Sequence, residues 1–394
     1  MKTWNQILKL TICLLFLVSL GGCWNSRELN QLGIVLGVGM DKDKGSEVVK
    51  LTTQVVNAGQ IKSGEKSSGN GQGNAFTNFQ TEGDTVFAAV RSAANFSSRK
   101  LYFPHNQVII LGRNIAEDDV TKYLDFFIRD PETRLNVLVL VADNTASEVL
   151  ESKPDLEKVP ADEIAKQIEG EAKSESQSMI VKLSDFKECL MSNTKAPVAP
   201  IVKVEDINGK KKAIISGTAV FKSGKMVGEL DETEGRGLSW VLGKAESGII
   251  EAKSPEGNMV SMETVRAKGE FSPEISDGKV KITIRISEEG NVGEQAGSEN
   301  LSKLSNVAFL EEQKEKVIQS EVTAVINKAK KWMRIFLALV NRSRKNILKN
   351  GPIWKTIGMK YFRRPKLKSM LTQSCDLWAE LLFQQCRKRS YLDL

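Results

Sequence analysis

The chain has 394 residues, 41% apolar and 27% charged, a globular composition with room for two or three domains. Its single histidine, His105, excludes zinc sites built on several histidines and leaves a histidine-centred triad only one possible place. The net charge is +7, but residues 328–394 carry 17 Lys/Arg against 3 Asp/Glu while residues 1–327 carry 39 against 46. The basicity belongs to the tail, which argues against nucleic acid as the partner of the body.

In chain order, Lys2 and Lys9 flank a short start, and Leu10–Leu20 is an apolar run. It is too short for the roughly 20 residues that cross hydrocarbon, but it suits a secretory signal. Leu20-Gly21-Gly22-Cys23 resembles the bacterial lipobox. That resemblance implies cleavage between Gly22 and Cys23, loss of residues 1–22, and S-diacylglyceryl and N-acyl (palmitate-type) groups on Cys23. Acyl chains contribute about 0.8 kcal/mol per buried CH₂, enough to tether the mature chain to lipid on the outer face of the cell membrane. An uncleaved anchor with an incidental cysteine is the alternative. Cys13, Cys189, Cys375 and Cys386 form no C-x-x-C pair with it, so no zinc ribbon or disulfide framework is indicated, and Cys189 reads as a small buried residue.

Gly33–Met40 reads as a buried strand and Val48–Val56 as a second, β-branched one. Residues 58–75 are a mobile Gly/Ser/Lys/Asn loop without the Gly-Lys-Ser/Thr of a phosphate cradle. Asp84 is placed as N-cap of a helix bearing Val86, Phe87, Val90 and Ala94. Strand Val108–Leu111, helix Ile115–Ile128, a stop at Arg129-Asp130-Pro131-Glu132, strand Leu135–Val141 and helix Ala146–Leu150 follow.

Asn193–Pro200 reads as a linker, after which strands dominate: Ile201–Val204, Ala213–Phe221, Lys225–Glu229, Ser247–Glu251, Asn258–Lys268, Gly269–Ile275 and Lys279–Ser287. A short helix lies at Glu232–Val241. A long one lies at Asn300–Lys331, with Leu301, Leu304, Val307, Ala308, Val317, Val322 and Ile326 as its apolar stripe. The fold class is α+β: a mixed α/β N-terminal region over 23–200, of one or two subdomains, then a strand-rich α+β domain over 201–331.

Several segments together resemble one family, the Ger(x)C spore germination lipoproteins, C subunits of nutrient germinant receptors. They are Gly22-Cys23-Trp24-Asn25-Ser26-Arg27-Glu28-Leu29, Gly33–Lys42, Phe126–Arg134, Gly217–Lys222, Leu230–Trp240 and Gly248–Ile250. The resemblance implies a non-enzymatic, membrane-anchored subunit without cofactor or metal, on the inner membrane of the spore. Its implied partners are integral-membrane A- and B-type receptor subunits. A lipid-anchored solute-binding protein of a transporter is the alternative; it needs two similar lobes around a cleft.

The resemblance is read as ending at Lys331. Reading one base earlier through the codons allowed for Trp332–Asn341 permits Asp-Ala-Asp-Ile-Phe-Gly-Phe-Gly-Glu, with the first Asp forced. Ile353–Arg363 in the same register permits Met-Glu-Asn-Asn-Trp-Asp-Glu-Ile-Phe-Pro, and both strings resemble the family's closing region. Residues 332–394 therefore read as an out-of-frame tail, after one base gained or two lost near codon 331. A genuine basic segment lying on anionic lipid is the rival.

No catalytic constellation is expected. His105 precedes a strand with no nucleophile motif nearby. Arg129–Glu132 reads as a helix stop with a local ion pair, the alternative being an anion clamp. Glu232, Glu234 and Arg236 read as a solvated or partner-contacting helix face. Lys210–Lys212 read as a hairpin turn, and Gly33, Gly37 and Gly39 lack a dinucleotide context.

Overall fold

The computed structural model describes residues 29–57, 74–192, 195–276 and 279–332, with Trp4 and Gln6 as isolated positions. Gly22 and Cys23 of the lipobox, residues 58–73 of the expected loop and residues 333–394 lie outside the described residues.

β1 (Leu32–Asp41), β2 (Val49–Val56) and β3 (Phe76–Gly83) are successive antiparallel neighbours. β4 (Lys100–Tyr102) and β5 (Val108–Leu111) pair parallel with β1, β6 (Leu138–Ala142) with β5, and β7 (Val198–Ile207) with β6. Two antiparallel steps, β8 (Lys210–Lys222) and β9 (Lys225–Leu230), complete a nine-stranded sheet.

Helices cover both faces, which is why the central parallel strands β5 and β6 are aliphatic throughout rather than alternating. Val108, Ile110, Leu138 and Leu140 share one core with α4 (Ala146–Leu150) and α5 (Pro160–Ser174). The intervening Ile109, Leu111, Val139 and Val141 share the other with α1 (Val86–Ser92), α3 (Val120–Arg129) and α6 (Leu183–Met191). Each such aliphatic side chain contributes about 1.5–3 kcal/mol by burial.

The second layer is smaller. β10 (Ile249–Lys253), β11 (Met259–Ser276) and β12 (Lys279–Gln295) form an antiparallel meander. α7 (Glu232–Leu242) and α8 (Leu304–Trp332) pack on it through Leu238, Trp240, Ile250, Val260, Ile284, Ile318, Val322 and Val325. These residues are continuous with the core of α1, α3 and α6. One nine-stranded sheet and one three-stranded meander are not the paired lobes that a solute-binding protein needs.

Several elements differ from the sequence reading. Thr85, not Asp84, caps α1, its hydroxyl accepting the Ala88 N–H at 3.1 Å. The expected helix over 115–128 is two, α2 (Arg113–Ala116) and α3, because Asp119 caps a new start at Thr121 N–H. β6 begins only at Leu138, since the carbonyls of Leu135 and Val137 accept from the start of α6. Val198–Pro200, read as linker, already belong to β7, which runs through residue 200. Asn258–Lys268 and Gly269–Ile275 are one strand, β11. Leu304, expected in the apolar stripe, is 88% exposed at the first position of α8. The sequence reading also missed β3, β4, α5 and α6.

Candidate functional site

The segment Asp231–Trp240 holds the Glu232, Glu234 and Arg236 group, and its structure is a clamp between layers. The Asp231 carboxylate accepts the Glu234 N–H at 2.8 Å and Glu234 accepts the Asp231 N–H at 2.9 Å, a capping box that starts α7. Gly243, with φ of 62°, ends it in the left-handed conformation. On the inward face, Arg236 Nε donates to both oxygens of Glu321 on α8 at 3.0 Å, and its Nη2 reaches Oε1. Trp240 Nε1 donates to Glu321 Oε2 at 2.7 Å, and Lys328 pairs with Glu234.

Glycine makes this approach possible. A Cβ on Gly237 would lie 2.2 Å from the Glu321 carbonyl oxygen, and one on Gly235 would lie 2.1 Å from that of Gln177. The Glu321 carboxylate, 4% exposed, is thus saturated by donors and faces no second carboxylate. That geometry holds two helices together and offers no acid–base pair. The reading of Glu234 and Arg236 as a solvated face is corrected: both turn inward to α8, and only Glu232 stays exposed. A second buried pair, Lys314–Glu288 at 2.5 Å, ties α8 to β12.

The far end of β1 carries another polar cluster. Asp41 accepts the N–H groups of Ala146 and Ser147 at 2.8 and 2.9 Å; burial pushes its carboxyl up against the opposing pull of those bonds. Lys42 meets Asp118 at 2.6 Å, and Asp118 also receives Lys122 and the Tyr123 hydroxyl at 2.9 Å each. Lys42, then Lys122, hold the Asp118 carboxyl well below the usual carboxylate range. Asp41-Lys42 is therefore a fastening of β1 to α4 and to the loop before α3.

The remaining candidates sit apart. His105 is exposed, 5.8 Å from the Tyr102 ring. Arg129 donates to Asp125 at 2.8 Å, the local ion pair expected at a helix stop, while Glu132 reaches across to Lys100 on β4 at 2.6 Å. Lys210 follows Asn208 and Gly209, both at positive φ in the β7–β8 turn. A Cβ on Gly37 would lie 2.8 Å from Ala161 Cβ and Leu150 Cδ2, so this glycine lets α4 and α5 seat on the sheet. Cys189 is half-buried, and burial pushes its thiol up. Among the described residues no group of three metal-ligating side chains gathers, and no helix is long and apolar enough to cross a membrane.

At the opposite end, where β1 begins, Leu32 pairs with Lys100 and Ile34 with Tyr102. The exposed Arg99 lies beside Gly33 at this start; Phe96, 66% exposed, precedes it in sequence, and the exposed Arg134 and Leu135, 37% exposed, precede β6, which begins at the same end of the parallel strands. Neither arginine forms an ion pair among the described residues.

Two family models match the chain in order. "Spore germination protein N-terminal domain" covers residues 25–204, and "Spore germination B3/GerAC like, C-terminal" covers 216–366. The second match extends to residue 366, past Lys331. Spore germination protein KC of Bacillus subtilis (strain 168) is 27% identical over 83% of this chain and 84% of its own length. Spore germination protein B3 of the same organism is 27% identical over 81% and 84%. The crystal structure of the GerBC protein aligns with a TM-score of 0.48 at 22% identity, over 82% of this chain and 90% of that one.

Proposed function

Because the chain belongs to the spore germination protein family defined by these two matches, we propose that it is the lipid-anchored, non-enzymatic subunit of a nutrient germinant receptor. The observation that carries this reading is the order of parts: a lipobox ending at Cys23, then both family regions in sequence. Cys23 fastens the body to the outer face of the membrane, in the spore the inner membrane, beside integral-membrane A- and B-type subunits. The body's surfaces act by protein contact, and nutrient recognition is left to those partners. The regions 23–200 and 201–331 form the working body, and residues 332–394 follow a shift of reading frame.

The test is genetic. A strain lacking only this gene, its A- and B-type partners intact, receives the gene as it stands or with the frame restored near codon 331, and nutrient-triggered loss of dormancy is scored. Rescue by the restored gene alone is expected; equal rescue by both would overturn the frame reading, and rescue by neither the receptor role. Cys23→Ala should leave the chain outside the membrane fraction.

A further inference from the structure

We propose that the end of the nine-stranded sheet at which β1 begins rests on an anionic bilayer, with Phe96 and Leu135 entering the headgroup layer and Arg99 and Arg134 facing lipid phosphates. This rests on the reading of Cys23 as the lipid anchor. Nine residue steps separate Cys23 from Leu32, a reach of at most about 30 Å when fully extended. β1 spans a further ten residues, roughly 33 Å, before Asp41, so the tether holds the near end against lipid far more readily than the far one.

The chemistry at that end fits the same occupant. Phe96 is the most exposed aromatic side chain of the sheet region, and it lies close in sequence to β4, the partner of the start of β1. Arg99 lies beside Gly33, whose Cβ would come within 3.7 Å of Arg99 Cβ. Lys100 binds Glu132, which brings the 130–135 turn, with Arg134 and Leu135, to this side of the sheet. Exposed aromatic and aliphatic side chains together with guanidinium groups that form no ion pair among the described residues are suited to an interface whose outer layer is anionic and whose inner layer is apolar. At the far end, by contrast, Lys42 and Lys122 are already paired, Lys42 with Asp118 and Lys122 with both Asp118 and Glu47.

The test uses the full lipidated chain in phosphatidylglycerol vesicles. p-Benzoylphenylalanine is placed at position 96, at position 135, or at the exposed Lys44 beyond the other end of β1, and lipid adducts are read by mass after irradiation. Adducts at 96 and 135 but not at 44 are expected. The Arg99→Gln change should lower the yield at 96 by about fivefold, the weight of one basic residue at an anionic surface. Equal yields at 96 and 44 in chains that stay with the vesicles would overturn the orientation while leaving the anchor intact. A chain that leaves the vesicle fraction would overturn the anchor and the orientation with it.

Discussion

Arg236 on α7 and Glu321 on α8 are joined through both carboxylate oxygens, with the indole N–H of Trp240 completing the shell. Removing the cation leaves a nearly buried carboxylate with one donor, so Arg236→Met should cost about 3–5 kcal/mol. Urea unfolding should show it, with Trp240 fluorescence changing early. A loss under 1 kcal/mol would mean that the carboxylate finds water instead.

The glycines of α7 give a steric prediction with an internal control. Gly237→Ala places a methyl group 2.2 Å from a backbone carbonyl that cannot swing away, and should destabilise by about 1–3 kcal/mol or more. Gly170→Ala in α5 meets nothing within 4 Å on an exposed helix face and should stabilise by about 0.4–1 kcal/mol. Thermal midpoints moving the same way for both would refute the packing argument.

Lys314 and Glu288 lend themselves to a double-mutant cycle. Lys314→Met or Glu288→Leu alone strands a buried partner and should cost about 3 kcal/mol or more. Lys314→Met with Glu288→Leu should recover most of that loss. Additive single losses would show that the two groups are not coupled.

Asp118 should make stability fall with acid. Its carboxyl is depressed in the fold, so its contribution is complete above the unfolded value of about 3.9 and disappears as pH falls below it. Asp118→Asn should lower stability at neutral pH and flatten the acid limb. Asp41 works in the opposite sense: burial raises its carboxyl, so its contribution is present at low pH and is lost as pH rises through the raised value. Urea midpoints from pH 2 to 7 measure both, and an unchanged acid limb in Asp118→Asn would refute the assignment.

The clamp was only partly legible in sequence. Asp231 and Glu234 stand at capping-box spacing, but Glu321 and Lys314 lie outside the apolar stripe read on the long helix. A signal was present, because Lys314, Ile318, Glu321, Val322 and Val325 share one helical stripe. Similarly, Pro160 with Asp162 and Glu163 marks the first turn of α5, and Ile164, Ile168 and Ala172 give its period.

What the sequence determined by itself was local: the aliphatic strands β1, β5 and β6, the start of α7 at Asp231 and the turn at Asn208-Gly209 all follow from spacing and side-chain type. What only the tertiary structure decided was contact between distant segments. Gly269 looks like a strand break, yet β11 runs through it because a side chain there would strike the Trp240 carbonyl, at 2.2 Å from a Cβ. Glu321 looks solvated until Arg236 and Trp240, some eighty positions earlier, arrive to bind it. Periodicity records which face of an element is apolar, whereas the partner of a buried charge is fixed only when two elements meet.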